Sequence, residues 1–281
     1  CGNPLFDSLT LSFGAAGTGG FAIKNDSIAS YSAATQDIIT IFMTAFGINF
    51  SCYYLLRSGK IGEFFRNEEV RLYLIILVVS TGFIVLQIAP DCVSLEQALR
   101  TAAFQTSSVM TTTGYSTVDF NQWPELSRMI MLLIMCIGAC VGSTGGGIKV
   151  ARVAILVKAG LRQVKYTLSP NRVESVRFNG KAVSSETVTG ILTYFALYML
   201  VFVISILLLA LDDAGDTVSN LSGVIATLNN IGPGLEKVGA VGNYGSYHFF
   251  SKLVFIFDML AGRLELLPIF ALFFRRTWES R

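Results

Sequence analysis

Three short segments carry the most informative chemistry in this chain. They are Gly17-Thr18-Gly19-Gly20-Phe21, Thr111-Thr112-Thr113-Gly114-Tyr115 and Asn229-Asn230-Ile231-Gly232-Pro233. None contains a carboxylate, so what they offer is backbone. Glycine reaches the angles that aim carbonyls to one side, and a row of carbonyls can replace the hydration shell of a cation. Thr hydroxyls and Asn amides can hold such a strand in place. This chemistry suits a weakly hydrated monovalent cation that must leave again. The acidic side-chain rings used by other cation channels are missing from these segments.

Other site chemistries are poorly supplied. His248 is the single histidine, and Cys1, Cys52, Cys92, Cys136 and Cys140 show no Cys-x-x-Cys spacing. Neither a histidine-based metal site, a transition-metal site nor a disulfide framework is expected. Cys136 and Cys140 would share a helix face at i, i+4 and read as packing residues. The stretch from Gly142 to Lys149 lacks the Gly-Lys-Ser/Thr of a phosphate loop, because Ile148 separates Gly147 from Lys149. Gly17-Thr18-Gly19 would need a third glycine at position 22, which is Ala22, and no strand–turn–helix unit surrounds it. His248 has no evident intramembrane partner for nucleophilic catalysis, so no enzyme is expected.

The elements that must position the glycine segments follow from hydropathy. Only 14% of the 281 residues are charged and 52% are hydrophobic, against about 25% charged in a soluble domain. That excludes a disordered chain, a coiled coil and a disulfide-stapled module, and makes a soluble enzyme a poor reading. Five apolar segments are each near the roughly 20 residues needed to cross a bilayer: 38–56, 72–90, 129–148, 187–211 and 249–274. The last contains Lys252, Asp258, Arg263 and Glu265. Three further runs, 4–16, 94–110 and Thr217–Leu228, are too short to cross, and each leads directly into a glycine segment. Short apolar helix followed by irregular backbone reads as a re-entrant loop, tolerated at membrane depth where it lines a watery cavity or is buried in protein. Its C-terminal, partly negative end would point into the membrane.

The pattern repeats as span, re-entrant helix, glycine-bearing strand, span. Gly20 and Gly114 lie 94 positions apart, and Gly114 and Gly232 118 apart. The units are 1–66, 67–181 and 182–281. The first lacks its leading span and opens on Cys1, so a piece of a longer pore protein is expected. Of the 21 basic residues, 15 fall in the connections 57–71 and 149–186 and in the tail after residue 274. That end is expected to be cytoplasmic and the opposite, acidic end external. The basic segment 149–181 has few aromatics and follows a span, so positive-inside bias or anionic lipid explains it better than nucleic acid.

Two polar features lie inside the apolar segments. Met129 to Val141 reads as helix, after which Gly142, Ser143, Thr144, Gly145, Gly146 and Gly147 should break it, each glycine costing roughly 1 kcal/mol relative to alanine. Lys149 and Arg152 then begin an amphipathic basic helix to Lys165. Arg263 falls near the middle of its segment, where it either pairs with Asp258 or Glu265, reaches for the cytoplasm, or faces a cavity.

Taken in order, the three glycine segments, Ser143-Thr144-Gly145-Gly146-Gly147-Ile148-Lys149 and Ala261-Gly262-Arg263-Leu264-Glu265 resemble the Trk/Ktr/HKT superfamily of potassium transporters. The resemblance covers the whole chain. It implies an all-α polytopic membrane protein of four helix–pore loop–helix repeats around a pseudo-fourfold pore, one filter strand per repeat. By motif position the filter would comprise Thr18, Gly19, Gly20, Thr112, Thr113, Gly114, Asn230, Ile231 and Gly232. The first repeat's strand is not in this chain, and with it goes the position that separates potassium-favouring from sodium-favouring members. The resemblance further implies that 142–149 is an intramembrane gate under the filter, and that Arg263 projects toward it. Arg263, Ser143, Thr144, Gly145, Gly146, Gly147 and Lys149 would then form the closed barrier. It implies potassium as substrate and no cofactor in the chain. Nucleotide would act only through a cytosolic regulatory subunit of the Trk type. The setting would be a homodimer in a bacterial inner membrane. The competing reading is a proton- or sodium-coupled secondary transporter, for which only Asp258 and Glu265 are candidate titratable groups within the spans.

Overall fold

The computed structural model describes residues 1–169, 174–213, 215–274 and 277–278. Among the described residues, two helices are long and apolar enough to cross a membrane unbroken. They are α5 (Glu68–Ile88) and α9 (Ser185–Leu211), about 32 and 40 Å at the helical rise. Asn67 starts α5 by accepting the Glu69 and Val70 amides, and Ser184 starts α9 by accepting the Thr187 amide. Such caps contribute about 1 kcal/mol each.

The other three expected spans are interrupted, each for a local reason. Segment 38–56 is not one helix but α2 (Ala33–Phe46) and α3 (Phe50–Arg57), bent by 96°. Gly47 ends α2 against the Tyr73 hydroxyl and the Thr111 methyl, leaving no room for a Cβ. The Asn49 side chain then caps α3 by accepting the Ser51 amide at 2.8 Å. A short helix, α4 (Ile61–Arg66), leads into α5. Segment 129–148 carries α7 (Glu125–Ile137), which stops four residues before Val141. The break is Gly138 at φ 77°, not Gly142, and the irregular loop runs 138–149. Cys140 therefore lies outside the helix and shares no helix face with Cys136. Segment 249–274 divides into α11 (Phe249–Leu264) and α12 (Leu266–Leu272) at Glu265, φ 65°. Pro268 explains the position, because its ring excludes the carbonyl four residues back, that of Leu264.

The three short runs form α1 (Leu5–Ala16), α6 (Leu95–Met110) and α10 (Thr217–Leu228). Helices α6 and α10 occupy the interior, whereas α1 buries only Leu11 and Ala15 and exposes Leu5, Phe6 and Phe13. Every residue of α6 from Phe104 to Met110 is buried, Ser107 and Ser108 included, as is most of α10, with Ser222 and Thr227. The long helices lie outside them and expose apolar faces, with Leu86 76% and Leu211 79% accessible. Polar inside and apolar outside is the arrangement a lipid solvent selects. The basic helix α8 (Val150–Leu168) follows the loop. A two-residue hairpin, β1 (Arg177–Phe178) and β2 (Lys181–Ala182), pairs antiparallel across Asn179 and Gly180. Its Asn179 side chain accepts the Glu68 amide at 2.6 Å and so pins the hairpin to the start of α5.

Candidate functional site

The three re-entrant helices end in the same way, residue for residue. After the last turn, Thr18, Thr112 and Asn230 take left-handed backbone, φ 49°, 58° and 57°. The next amides, of Gly19, Thr113 and Ile231, donate back to Gly14, Ser108 and Ala226 at 2.8, 2.9 and 2.8 Å. This double-backed ending satisfies the orphan carbonyls of a helix terminus. Gly20, Gly114 and Gly232 then turn left-handed again, φ 66°, 84° and 105°. Alternating handedness keeps successive peptide groups on one side, whereas an ordinary strand alternates them. Holding Thr in the left-handed region costs roughly 1–2 kcal/mol, and the same cost is met in two of three copies.

The strands touch one another through these glycines. A Cβ on Gly20 would run into the Thr113 carbonyl, and one on Gly114 into the Ile231 carbonyl. A Cβ on Gly232 would meet no described atom within 4 Å. Thr18, Gly19, Gly20, Gly114, Asn230, Ile231 and Gly232 line one cavity of about 830 Å³. Thr112 and Thr113 are set back from it. Both are buried; the Thr112 hydroxyl accepts the Gly146 amide at 2.6 Å, and that of Thr113 pairs with Thr111 at 2.8 Å. Three tyrosines that hydropathy does not single out bond to the strands and their helices. The Tyr115 hydroxyl donates to the Leu11 carbonyl at 3.2 Å, that of Tyr244 to the Gly232 carbonyl at 2.7 Å. Tyr198 accepts from Asn229 at 2.9 Å.

Loop 138–149 lies against the ends of the three short helices. The Thr18 hydroxyl donates to the Thr144 carbonyl at 2.9 Å. A Cβ on Gly145 would sit 2.9 Å from the Thr111 carbonyl, and one on Gly146 2.5 Å from the Asn229 carbonyl. Glycine is required at both for the backbones to approach. The loop closes on itself where Gly138 meets Gly147, and Val150 donates to the Ala139 carbonyl at 3.0 Å. Its entry limb is bonded to the break in α2–α3, with Cys140 donating to Gly47 at 3.0 Å and Phe50 to Gly142 at 3.1 Å.

Arg263 reaches this loop rather than an acidic partner. Its guanidinium donates to the Thr144 carbonyl at 3.0 Å, the same oxygen that accepts from Thr18. Glu265 pairs instead with Arg152 at 2.8 Å, and Asp258 accepts from Ser205 at 2.7 Å. Arg263 lines the large cavity and also a second one of about 260 Å³, formed with Ser143, Thr144, Gly145, Gly146, Gly147 and Lys149. The Lys149 ammonium donates to the Gly145 carbonyl. Gly262 lets α11 come this close: a Cβ there would collide with the Leu228 carbonyl. Two residues at this site escape a reading of the sequence. Glu69 looks like one more charge at a helix start and Asn49 like part of an apolar span, yet both are joined to the loop.

An outer shell of apolar helices around the buried, polar helices α6 and α10 defines a helical membrane protein. Residues 2–280 match the family model described as TrkH, a cation transport protein, and the chain belongs to that family. It is 34% identical to the Trk system potassium uptake protein TrkH of Salmonella typhimurium and 33% identical to that of Escherichia coli K12. Each alignment covers 99% of this chain and 58% of the relative. The crystal structure of the potassium transporter TrkH from Vibrio parahaemolyticus superposes with a TM-score of 0.88 at 32% identity. That match covers 99% of this chain and 60% of the other. The chain therefore spans a little under two thirds of the length of these relatives.

Proposed function

We propose that this chain forms most of a potassium-uptake pore. The observation that carries the reading is the backbone conformation repeated in three segments that meet at one cavity, lined by Thr18–Gly20, Gly114 and Asn230–Gly232. Thr18–Gly20, Thr112–Gly114 and Asn230–Gly232 supply three filter strands. The packing order, Gly20 on Thr113 and Gly114 on Ile231, leaves the side of Gly232 for a fourth strand in the full-length protein, completing a pseudo-fourfold ring. Potassium would exchange its water for carbonyl oxygens there and pass without covalent chemistry, and the chain would need no cofactor.

Loop 138–149 acts as the gate beneath the filter. It presents glycine backbone to the pathway, and its Thr144 carbonyl is already occupied by Thr18 and Arg263. The Arg263 and Lys149 charges oppose a cation leaving the filter. Opening then requires the loop to give up a few single hydrogen bonds, each worth about 1 kcal/mol, which is a scale a regulator can supply. A cytosolic nucleotide-binding subunit of the Trk type on the basic face, a homodimer of pore subunits and a bacterial inner membrane complete the proposal.

One observation favours a second reading, proton- or sodium-coupled transport. Asp258 is fully buried in α11, and one of its oxygens has no hydrogen-bond partner among the described residues. Single-channel recording of the full-length protein separates the two. Ohmic potassium currents that persist without a proton or sodium gradient are expected, and strict dependence on either gradient would replace the channel by a symporter.

A further inference from the structure

Two adjacent acids open α5 and do different things. Glu68 serves the surface: it pairs with Lys158, and its second oxygen accepts the Asn179 amide. Glu69 turns inward and is 4% exposed. A helix start favours a carboxylate, but that does not require burying it, and a buried carboxylate is costly unless its oxygens are well served by donors. Glu69 has such donors. Its Oε1 accepts the Val141 amide at 2.6 Å. The Asn49 side chain, the Ala151 amide and the Lys149 ammonium lie close beside it.

These four residues come from three separate pieces of chain. Val141 belongs to the entry limb of loop 138–149. Lys149 and Ala151 belong to its exit and to the first turn of α8. Asn49 is the cap at the break between α2 and α3. The middle of the loop is held by single contacts to the glycine segments, Thr18 on Thr144 and Thr112 on Gly146. Its base closes on itself, Lys149 on Ile137 and Val150 on Ala139, and is tied to its surroundings by this one carboxylate together with the two backbone bonds to Gly47 and Phe50.

We propose that Glu69 is a positioning residue that clamps both limbs of loop 138–149 to the broken α2–α3 helix, and so sets how readily the loop leaves its place below the glycine segments. The proposal rests on the reading of that loop as the gate.

The test uses the full-length protein in lipid nanodiscs, with two readouts: hydrogen exchange of the 138–151 amides and rubidium flux. Glu69→Ala is expected to speed exchange at Val141 and its loop neighbours about tenfold, with the middle of α5 unchanged, and to raise flux. Glu69→Gln keeps an acceptor of the same shape and is expected to restore most of the protection. Unchanged loop exchange in Glu69→Ala overturns the clamp. Exchange that rises equally along α5 also overturns it, because Glu69 would then only start a helix. Faster loop exchange with unaltered flux leaves the clamp standing and rejects the gate. Should Glu69→Ala fail to fold, Asn49→Ala removes one neighbour and leaves the carboxylate. It is expected to act in the same direction and more weakly, and no change in loop exchange overturns the clamp.

Discussion

The glycine segments and loop 138–149 are both irregular backbone inside a helical membrane protein, and they treat their polar groups in opposite ways. In the glycine segments the amides are tied back to their own helices, Gly19 to Gly14, Thr113 to Ser108 and Ile231 to Ala226. Of the carbonyls from Thr18 to Gly20, Thr112 to Gly114 and Asn230 to Gly232, only that of Gly232 accepts a hydrogen bond among the described residues, from Tyr244. In the loop, amides and carbonyls alike are spent on neighbours: Cys140 on Gly47, Gly142 on Phe50, Thr144 on Thr18 and Arg263, Gly146 on Thr112. The first arrangement is local, so it can be repeated three times and is rigid. The second is built from long-range contacts, occurs once, and comes apart if a few of its partners move. An ion site needs the first property and a gate the second.

The largest effect should come from breaking the rigid region. Gly114→Ala puts a methyl into the Ile231 carbonyl and forces a left-handed Ala, so rubidium uptake by the full-length protein should fall roughly a hundredfold or more, the scale of about 3 kcal/mol. Near-normal uptake would mean that the segment is not the ion path. Loosening the other region should act with the opposite sign. Arg263→Ala removes a charge and a bond to Thr144, and basal uptake is expected to rise roughly tenfold, about 1.4 kcal/mol off the barrier. A drop in uptake with unchanged expression would assign Arg263 a structural task. Thr18→Val deletes one tether while leaving the Thr18 backbone in place. About 1 kcal/mol is at stake, so a rise of about fivefold in open probability is expected in single-channel records.

The smallest expected effect touches neither region directly and serves as the reference. Asp216 caps α10 by accepting the Ser219 amide and hydroxyl, at 3.3 and 2.5 Å. The Ser219 hydroxyl bond holds its carboxyl below the usual carboxylate range. A lowered folded-state value means the stabilisation is present above the unfolded value of 3.8 and is lost as pH falls through the folded one. Asp216→Ala should cost about 1 kcal/mol of stability at neutral pH and converge with the parent in strong acid, as read by thermal melting in detergent. A selectivity change would show that the α10 cap reaches the filter.

The short helices were legible almost to the residue, because each apolar run leads directly into a glycine segment that ends it. The glycine segments were legible as a set, since the same break recurs after each helix. The interrupted spans were not. An apolar average over 38–56 cannot register that Gly47 is pressed against Tyr73, a contact between residues 26 positions apart. Gly138 was passed over because one glycine costs a helix only about 1 kcal/mol, too little to end it without the Gly147 contact across the loop. Segment 249–274 reads as one span, although Pro268 accounts for the break at Glu265 through a carbonyl four residues earlier. Glu69 was invisible as a loop anchor, because a charge at a helix start looks the same whether it faces water or turns inward.

The central claim is that the carbonyls between Thr18 and Gly20, Thr112 and Gly114, and Asn230 and Gly232 bind the permeating cation. Anomalous diffraction from crystals of the full-length protein soaked in thallium tests it most directly. The account predicts a peak on the cavity axis within coordination distance of those carbonyls, lost in Gly114→Ala. Thallium bound instead at Asp258, with the glycine segments empty, would contradict it.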